Sequence, residues 1–236
     1  MAKIFKSKDG EELLLASYDR LLQTWDLPYE EQFIMTRFGE THVITAGDKD
    51  HPPLVLFHGV GDNSAIMWIY NMRALAERFF VVAVDTLGAP GKSKPNETYD
   101  MAFESTLWID DLLDGLRLER VHMAGVSYGV TFILQYAMQR PQRVLNMVCM
   151  AGSFPVKGWV SKLRMLRSLT AFLPEALYPN ERSAARLLKK LSGPDFELTG
   201  NPELLAHFVY LLKYSIPPRR KMIEFRPEDF EPISDR

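Results

Sequence analysis

The sequence predicts an α/β fold: a mostly parallel sheet with helices on both faces, followed by a helical cap. Three observations carry this. Apolar runs of strand length, "PPLVLFHG", "FVVAVD", "RVHMAGVS" and "RVLNMVCMAG", recur through the first 152 residues. Segments with apolar side chains at helical spacing lie between them. Strands that are apolar on both faces and alternate with helices are those of a parallel sheet covered on both sides. From Ser153 to about Phe225 the pattern changes to helices punctuated by Pro and Gly, with no strand among them.

The elements follow in order. "GEELLLASYDRLLQTW" spaces Leu, Tyr and Trp as a helix does. "EQFIMTRFGETHVITAGDKD" predicts two short strands about a turn at Gly39, the antiparallel edge of the sheet. The first apolar strand, "PPLVLFHG", precedes one amphipathic helix over "SAIMWIYNMRALAERF". After "FVVAVD" come a helix in "MAFESTLWIDDLLDGLRL", the strand "RVHMAGVS", a helix in "YGVTFILQYAMQRP" and the strand "RVLNMVCMAG". The expected cap, residues 153–225, holds helices in "VSKLRMLRSLTAF", "NERSAARLLKKL" and "NPELLAHFVYLLKYS". Residues 226–236, "RPEDFEPISDR", predict the approach to a further core strand.

Composition narrows the function. The chain is 47% hydrophobic and 25% charged, with net charge −2, so there is no electrostatic case for nucleic acid. The single cysteine, Cys149, excludes an internal disulfide and falls in an apolar run, which predicts an inert core thiol. The N-terminus has no apolar core of signal-peptide length, and no stretch approaches ~18 uncharged apolar residues. A cytoplasmic protein without a membrane partner is the expectation.

One pattern points to chemistry. Gly125-Val126-Ser127-Tyr128-Gly129 is a G-x-S-x-G sequence set between an apolar strand and a helix. Such a turn exposes a serine hydroxyl, its glycines leave room beside the nucleophile, and the helix start directs backbone N–H groups at the site. His58-Gly59 closes the first core strand, so the Val60 N–H could join that of Tyr128 in holding an oxyanion. Gly59, Gly61 and Asp62 are candidate substrate contacts, with capping of the next helix the competing role for Asp62. "VDTLGAPGKS" places Asp85 and a Gly-Pro loop at the same mouth, and it lacks the spacing of a phosphate loop.

These three motifs in order, His-Gly after one strand, D-x-x-G-x-x-G-x-S after the next and G-V-S-Y-G after the third, resemble the α/β-hydrolase fold in its carboxylesterase-like branch. The resemblance runs from about residue 33 to residue 152. It implies a serine nucleophile at Ser127, oxyanion N–H groups at Val60 and Tyr128, an acyl-enzyme, no cofactor and no metal. It also implies a small ester substrate, and the apolar cap suggests a hydrophobic acyl or alcohol group.

The family's acid and histidine follow the cap, and neither a G-x-x-D turn nor a late Gly-His is present. The resemblance therefore places the last strands, the acid and the base beyond Arg236, in about 50 to 70 further residues. Of the five histidines, only His207, on a cap helix, is a candidate substitute base, and its competing role is a helix residue partly facing solvent. Asp110, Asp111 and Asp114 are expected on a solvated helix face. An edge left open after "RVLNMVCMAG" would need cover, and a homodimer is one way to supply it. A non-catalytic ligand-binding relative or an inactive remnant is the alternative function. A nucleotide-binding reading has no G-x-G-x-x-G to support it.

Overall fold

The computed structural model describes residues 3–99, 103–152, 163, 178–193, 200–216 and 225–233. Its strands are β1 (Glu30–Thr36), β2 (Gly39–Ala46), β3 (Pro53–Phe57), β4 (Phe80–Val84), β5 (Lys94–Pro95), β6 (Val121–Val126) and β7 (Val144–Met150). They form one sheet in the order β1-β2-β4-β3-β6-β7, with β5 paired to β2. β4, β3, β6 and β7 run parallel, while β1 and β2 form the expected antiparallel edge and β2 meets β4 antiparallel. The two-residue β5 has no counterpart in the sequence reading.

The described helices are α1 (Lys8–Leu22), α2 (Ser64–Met67), α3 (Met72–Ala76), α4 (Ser105–Gly115), α5 (Gly129–Gln139), α6 (Glu181–Leu191) and α7 (Pro202–Tyr214). Side chains alternate across each core strand, so each face of the sheet carries its own core. On one face Val55, Phe57, Val82, Val84 and Met123 pack with Trp108 and Leu112 of α4 and Phe132 and Tyr136 of α5. On the other, Leu54, Leu56, Val81 and Ala83 pack with Leu14, Tyr18 and Leu21 of α1, Ile66 of α2 and Leu204 and Leu211 of α7.

Three expectations are corrected. The single helix after β3 is two short ones, broken over Trp68–Asn71. Adjacent residues of a straight helix point ~100° apart, whereas here both Trp68 and Ile69 are buried against the same core. Cys149 is exposed, because among the described strands β7 ends the order and its run gains cover from one neighbour only. At the end of the described chain a 3-10 helix spans Pro227–Ile233, and Phe225 and Ile233 are buried beside the α4–α5 core. Asp110 and Asp111 are ion-paired to Arg140 and Arg37, not simply solvated.

α6 and α7 occupy the second and third helices expected after residue 153. The first, "VSKLRMLRSLTAF", lies outside the described residues apart from Leu163.

Candidate active site

β3 is the switch point of the sheet: the chain passes from it to β4 on one side and later to β6 on the other. In open α/β sheets ligands bind beyond the carboxyl ends of the strands at such a point. The C-terminal ends of β3, β4 and β6 bring together His58-Gly59, Asp85 and Ser127.

Ser127 follows β6 directly and adopts φ 53°, the left-handed region that costs a residue with a Cβ about 1–2 kcal/mol. Its N–H donates to the Met150 carbonyl at 2.9 Å, and its carbonyl accepts from the Val130 N–H at 3.2 Å, so the turn is tied to β7 and to α5. The flanking glycines are required by contact. A Cβ at 125 would stand 2.6 Å from the Gly129 carbonyl carbon, and one at 129 would stand 2.3 Å from the Phe57 oxygen. Strand, helix and β3 meet here at backbone distance, and the Ser127 side chain is left exposed.

The turn after β3 lies against it. A Cβ at Gly59 would sit 3.2 Å from that of Ser127 and 3.8 Å from its Oγ. Val60 is 48% exposed, and among the described residues its N–H makes no hydrogen bond. Gly61 takes φ 74° in open space. Tyr128, half-buried, opens α5 with its ring edge-on to Phe132. Asp62 does not cap α2. Asn63 does, accepting from the Ile66 N–H, while Asp62 accepts from the Asn63 N–H at 3.0 Å. Burial pushes the Asp62 carboxyl up to about 7, the Asn63 N–H opposes this and the Asp85 charge adds to it.

Beneath the turn lies a buried polar network. Asp85 accepts from the Ser64 N–H (2.8 Å), the Lys92 N–H (2.9 Å), the Tyr18 hydroxyl (2.9 Å) and His42 Nδ1 (3.0 Å). His42 Nε2 donates to Glu31 at 2.8 Å. Burial works against the charge on both Asp85 and His42, and their pairing overcomes it: Asp85 is held well below the usual carboxylate range and the His42 imidazole is raised. The sequence reading placed His42 only in the hairpin. Its position between Thr41 and Val43 on a strand buried on both faces was the available signal.

All five histidines are described, and none is available to take a proton from Ser127. His42 is engaged as above. His58 is buried, its Nδ1 donating to the Gly59 carbonyl and its Nε2 accepting from the Thr86 N–H. His207 is buried, with Nδ1 on Ser17 and Nε2 on Asn63, and burial lowers it to about 3. It is neither the expected solvent-facing residue nor a base. His51 precedes β3 at the far end of the sheet. His122 pairs with Leu54 at the start of β6, about 16 Å of strand from Ser127. Among the described residues no cluster of His, Cys, Asp or Glu could hold a metal, and no helix is long and apolar enough to cross a membrane.

The comparisons agree with this fold. The family model for the α/β hydrolase fold matches residues 52–200. Carboxylesterase YbfK of Bacillus subtilis is 33% identical over 182 residues, which are 77% of this chain, and the chain spans 58% of that relative's length. The crystal structure of carboxylesterase CesB (YbfK) from the same organism superposes with a TM-score of 0.76 at 27% identity, covering 94% of this chain and 76% of that one. That of naproxen esterase, also from Bacillus subtilis, gives 0.79 at 23% identity, covering 96% and 78%, and speaks for the fold alone. With its serine on a left-handed turn between β6 and α5, its His-Gly turn after β3 and a matching model over most of the sheet, the chain belongs to the α/β-hydrolase fold family.

Proposed function

We propose that this chain is the greater part of a serine hydrolase acting on carboxylic esters through an acyl-enzyme on Ser127. The observation that carries the reading is the strained, exposed Ser127 with the Gly59-Val60 turn packed against it. Ser127 Oγ attacks the ester carbonyl carbon as its proton passes to a general base. The tetrahedral oxyanion is held by the N–H groups of Val60 and Tyr128, each donor contributing about 3 kcal/mol by analogy with other oxyanion sites. Collapse breaks the bond to the alcohol, which leaves with the proton from the base. Water, deprotonated by the same base, then frees the acid and restores Ser127.

The five histidines are engaged or remote, so the proposal assigns the base and its acid partner to residues beyond Arg236. Similarity to relatives of greater length supports that assignment. The same proposal covers a small ester with an apolar acyl or alcohol group as substrate, a cytoplasmic location, and the division into a core (1–152), a helical cap (153–225) and a lead-in (226–236). Gly59, Gly61 and Asp62 are its substrate contacts, and Asp62, near half-protonated at pH 7, could donate or accept a hydrogen bond there.

The second reading is a ligand-binding relative without catalysis, favoured by the five histidines of the chain being either engaged or remote from Ser127. Intact mass before and after a fluorophosphonate probe separates the two, with Ser127→Ala as control. A Ser127-dependent adduct is expected. An unlabelled protein whose mass extends beyond 236 residues would sink the catalytic reading.

A further inference from the structure

The turn that carries Val60 has almost no packing of its own. Val60 is half exposed, and nothing lies within 4 Å of a Cβ placed on Gly61. Its geometry is therefore set at its two ends: at Gly59, which lies on Ser127, and at Asn63, which is buried.

Asn63 is held by a helix far away in sequence. Its Nδ2 donates to the Pro90 carbonyl at 2.9 Å and lies 3.0 Å from His207 Nε2 of α7, while its Oδ1 accepts from the Ile66 N–H. The Ser17 hydroxyl of α1 lies 2.8 Å from the Leu14 carbonyl and 2.6 Å from His207 Nδ1. If Nδ1 carries the hydrogen, Ser17 accepts it and Nε2 accepts from the Asn63 amide; if Nε2 carries it, Nδ1 accepts from Ser17 and Nε2–H reaches Asn63 Oδ1 at 3.3 Å. In either tautomer His207 holds the Asn63 amide, and the series Ser17, His207, Asn63, Pro90 spans α1, α7, the end of the turn and the loop after β4.

We propose that His207 is a positioning residue: by holding the Asn63 amide it sets the turn of residues 59–63 and with it the Val60 N–H, so that the seat of α7 on α1 governs the site. The functional part of this rests on the reading of Ser127 as nucleophile, whereas the coupling of α7 to the turn does not.

Three variants of the full chain test it. A glutamine at 207 keeps an acceptor where Nε2 was, and an asparagine does not. His207→Asn is expected to speed amide hydrogen exchange at Ser64, Ile66 and Lys92 about tenfold, the equivalent of one lost buried hydrogen bond, with His207→Gln near wild type. Ser17→Ala touches neither Asn63 nor the turn and is a mild change should His207→Asn fail to fold. By removing the partner of His207 Nδ1 it should speed the same amides. Fluorophosphonate labelling of Ser127 should slow about tenfold in its maximal rate in His207→Asn, with unchanged probe affinity, and recover in His207→Gln. Unchanged exchange at Ser64 and Ile66 in both His207→Asn and Ser17→Ala would overturn the proposal. So would equal disturbance by Gln and Asn, since that is the mark of lost packing alone. If wild type takes no probe but exchange follows the Gln–Asn pattern, the serine-hydrolase reading fails and the coupling stands.

Discussion

Replacing Ser127 by glycine should remove the nucleophile and at the same time stabilise the protein. The side chain is exposed, so little packing is lost, while φ 53° burdens any residue with a Cβ. That burden is about 1–2 kcal/mol. Glycine relieves it, but gives back roughly 0.4–1 kcal/mol through the greater freedom of the unfolded chain. The net gain is about 0.5–1 kcal/mol. Ser127→Ala is the comparison, because it loses the hydroxyl and keeps the Cβ and the strain. For a domain of this size a kilocalorie moves the melting temperature by about 2–4 °C. Ser127→Gly should therefore melt about 1–4 °C above Ser127→Ala, with its urea midpoint raised and its m-value unchanged. Neither variant should take a fluorophosphonate. If glycine is no more stable than alanine, the turn stores no strain and the nucleophile reading loses its conformational support.

Gly129→Ala places a Cβ 2.3 Å from the Phe57 carbonyl oxygen and 2.9 Å from that of His58, so backbone must move. Overpacking of this kind should cost about 2–3 kcal/mol in urea denaturation and abolish labelling. His207 is lowered to about 3 by burial and by Arg20, with Asp85 opposing, so the unfolded chain takes up its proton first as pH falls below about 6.5. Stability should therefore fall from pH 6.5 towards 3 by up to ~1.4 kcal/mol per unit, a slope that His207→Gln lacks; a flat difference curve between pH 4 and 7 would refute the neutral buried ring. Asp62 has the opposite sign. Its carboxyl is raised to about 7, so wild type should lose stability relative to Asp62→Asn as pH rises from about 4 to 7, and the two should run parallel above that. Urea midpoints across pH 4–8 check it.

What could be read from sequence was what short-range sterics dictate. Strands buried on both faces must be apolar throughout, which made β3, β4 and β6 visible. The serine turn was visible because Gly125 and Gly129 meet backbone, a constraint written within five residues. The engagement of His42 went unforeseen and His207 was misread because their partners lie far along the chain. Glu31 and Asp85 are 11 and 43 residues from His42, and Ser17 and Asn63 are 190 and 144 residues from His207. A histidine's protonation and role depend on those partners, and no local pattern names them. Cys149 was misread for a related reason: an apolar strand predicts burial only when it has neighbours on both edges, and β7 has β6 alone among the described strands.

On the reading proposed, the two halves of the oxyanion site therefore rest on different physics. The Tyr128 N–H belongs to the first turn of α5, which glycine contacts lock against β3 and β6 at backbone distance. A change there is felt as a clash. The Val60 N–H belongs to an exposed turn whose far end is held by buried hydrogen bonds between Asn63 or Ser64 and Asp85, Pro90 and His207. A change there is felt as a lost partner, and it can be made from α1 or α7 without altering any residue that meets the substrate. The two donors can thus be perturbed separately. Substitutions at 125 or 129 should disturb stability and reactivity together. Substitutions at 17 or 207 should shift reactivity through the turn while the β6–α5 junction keeps its hydrogen bonds from Ser127 to Met150 and from Val130 to Ser127.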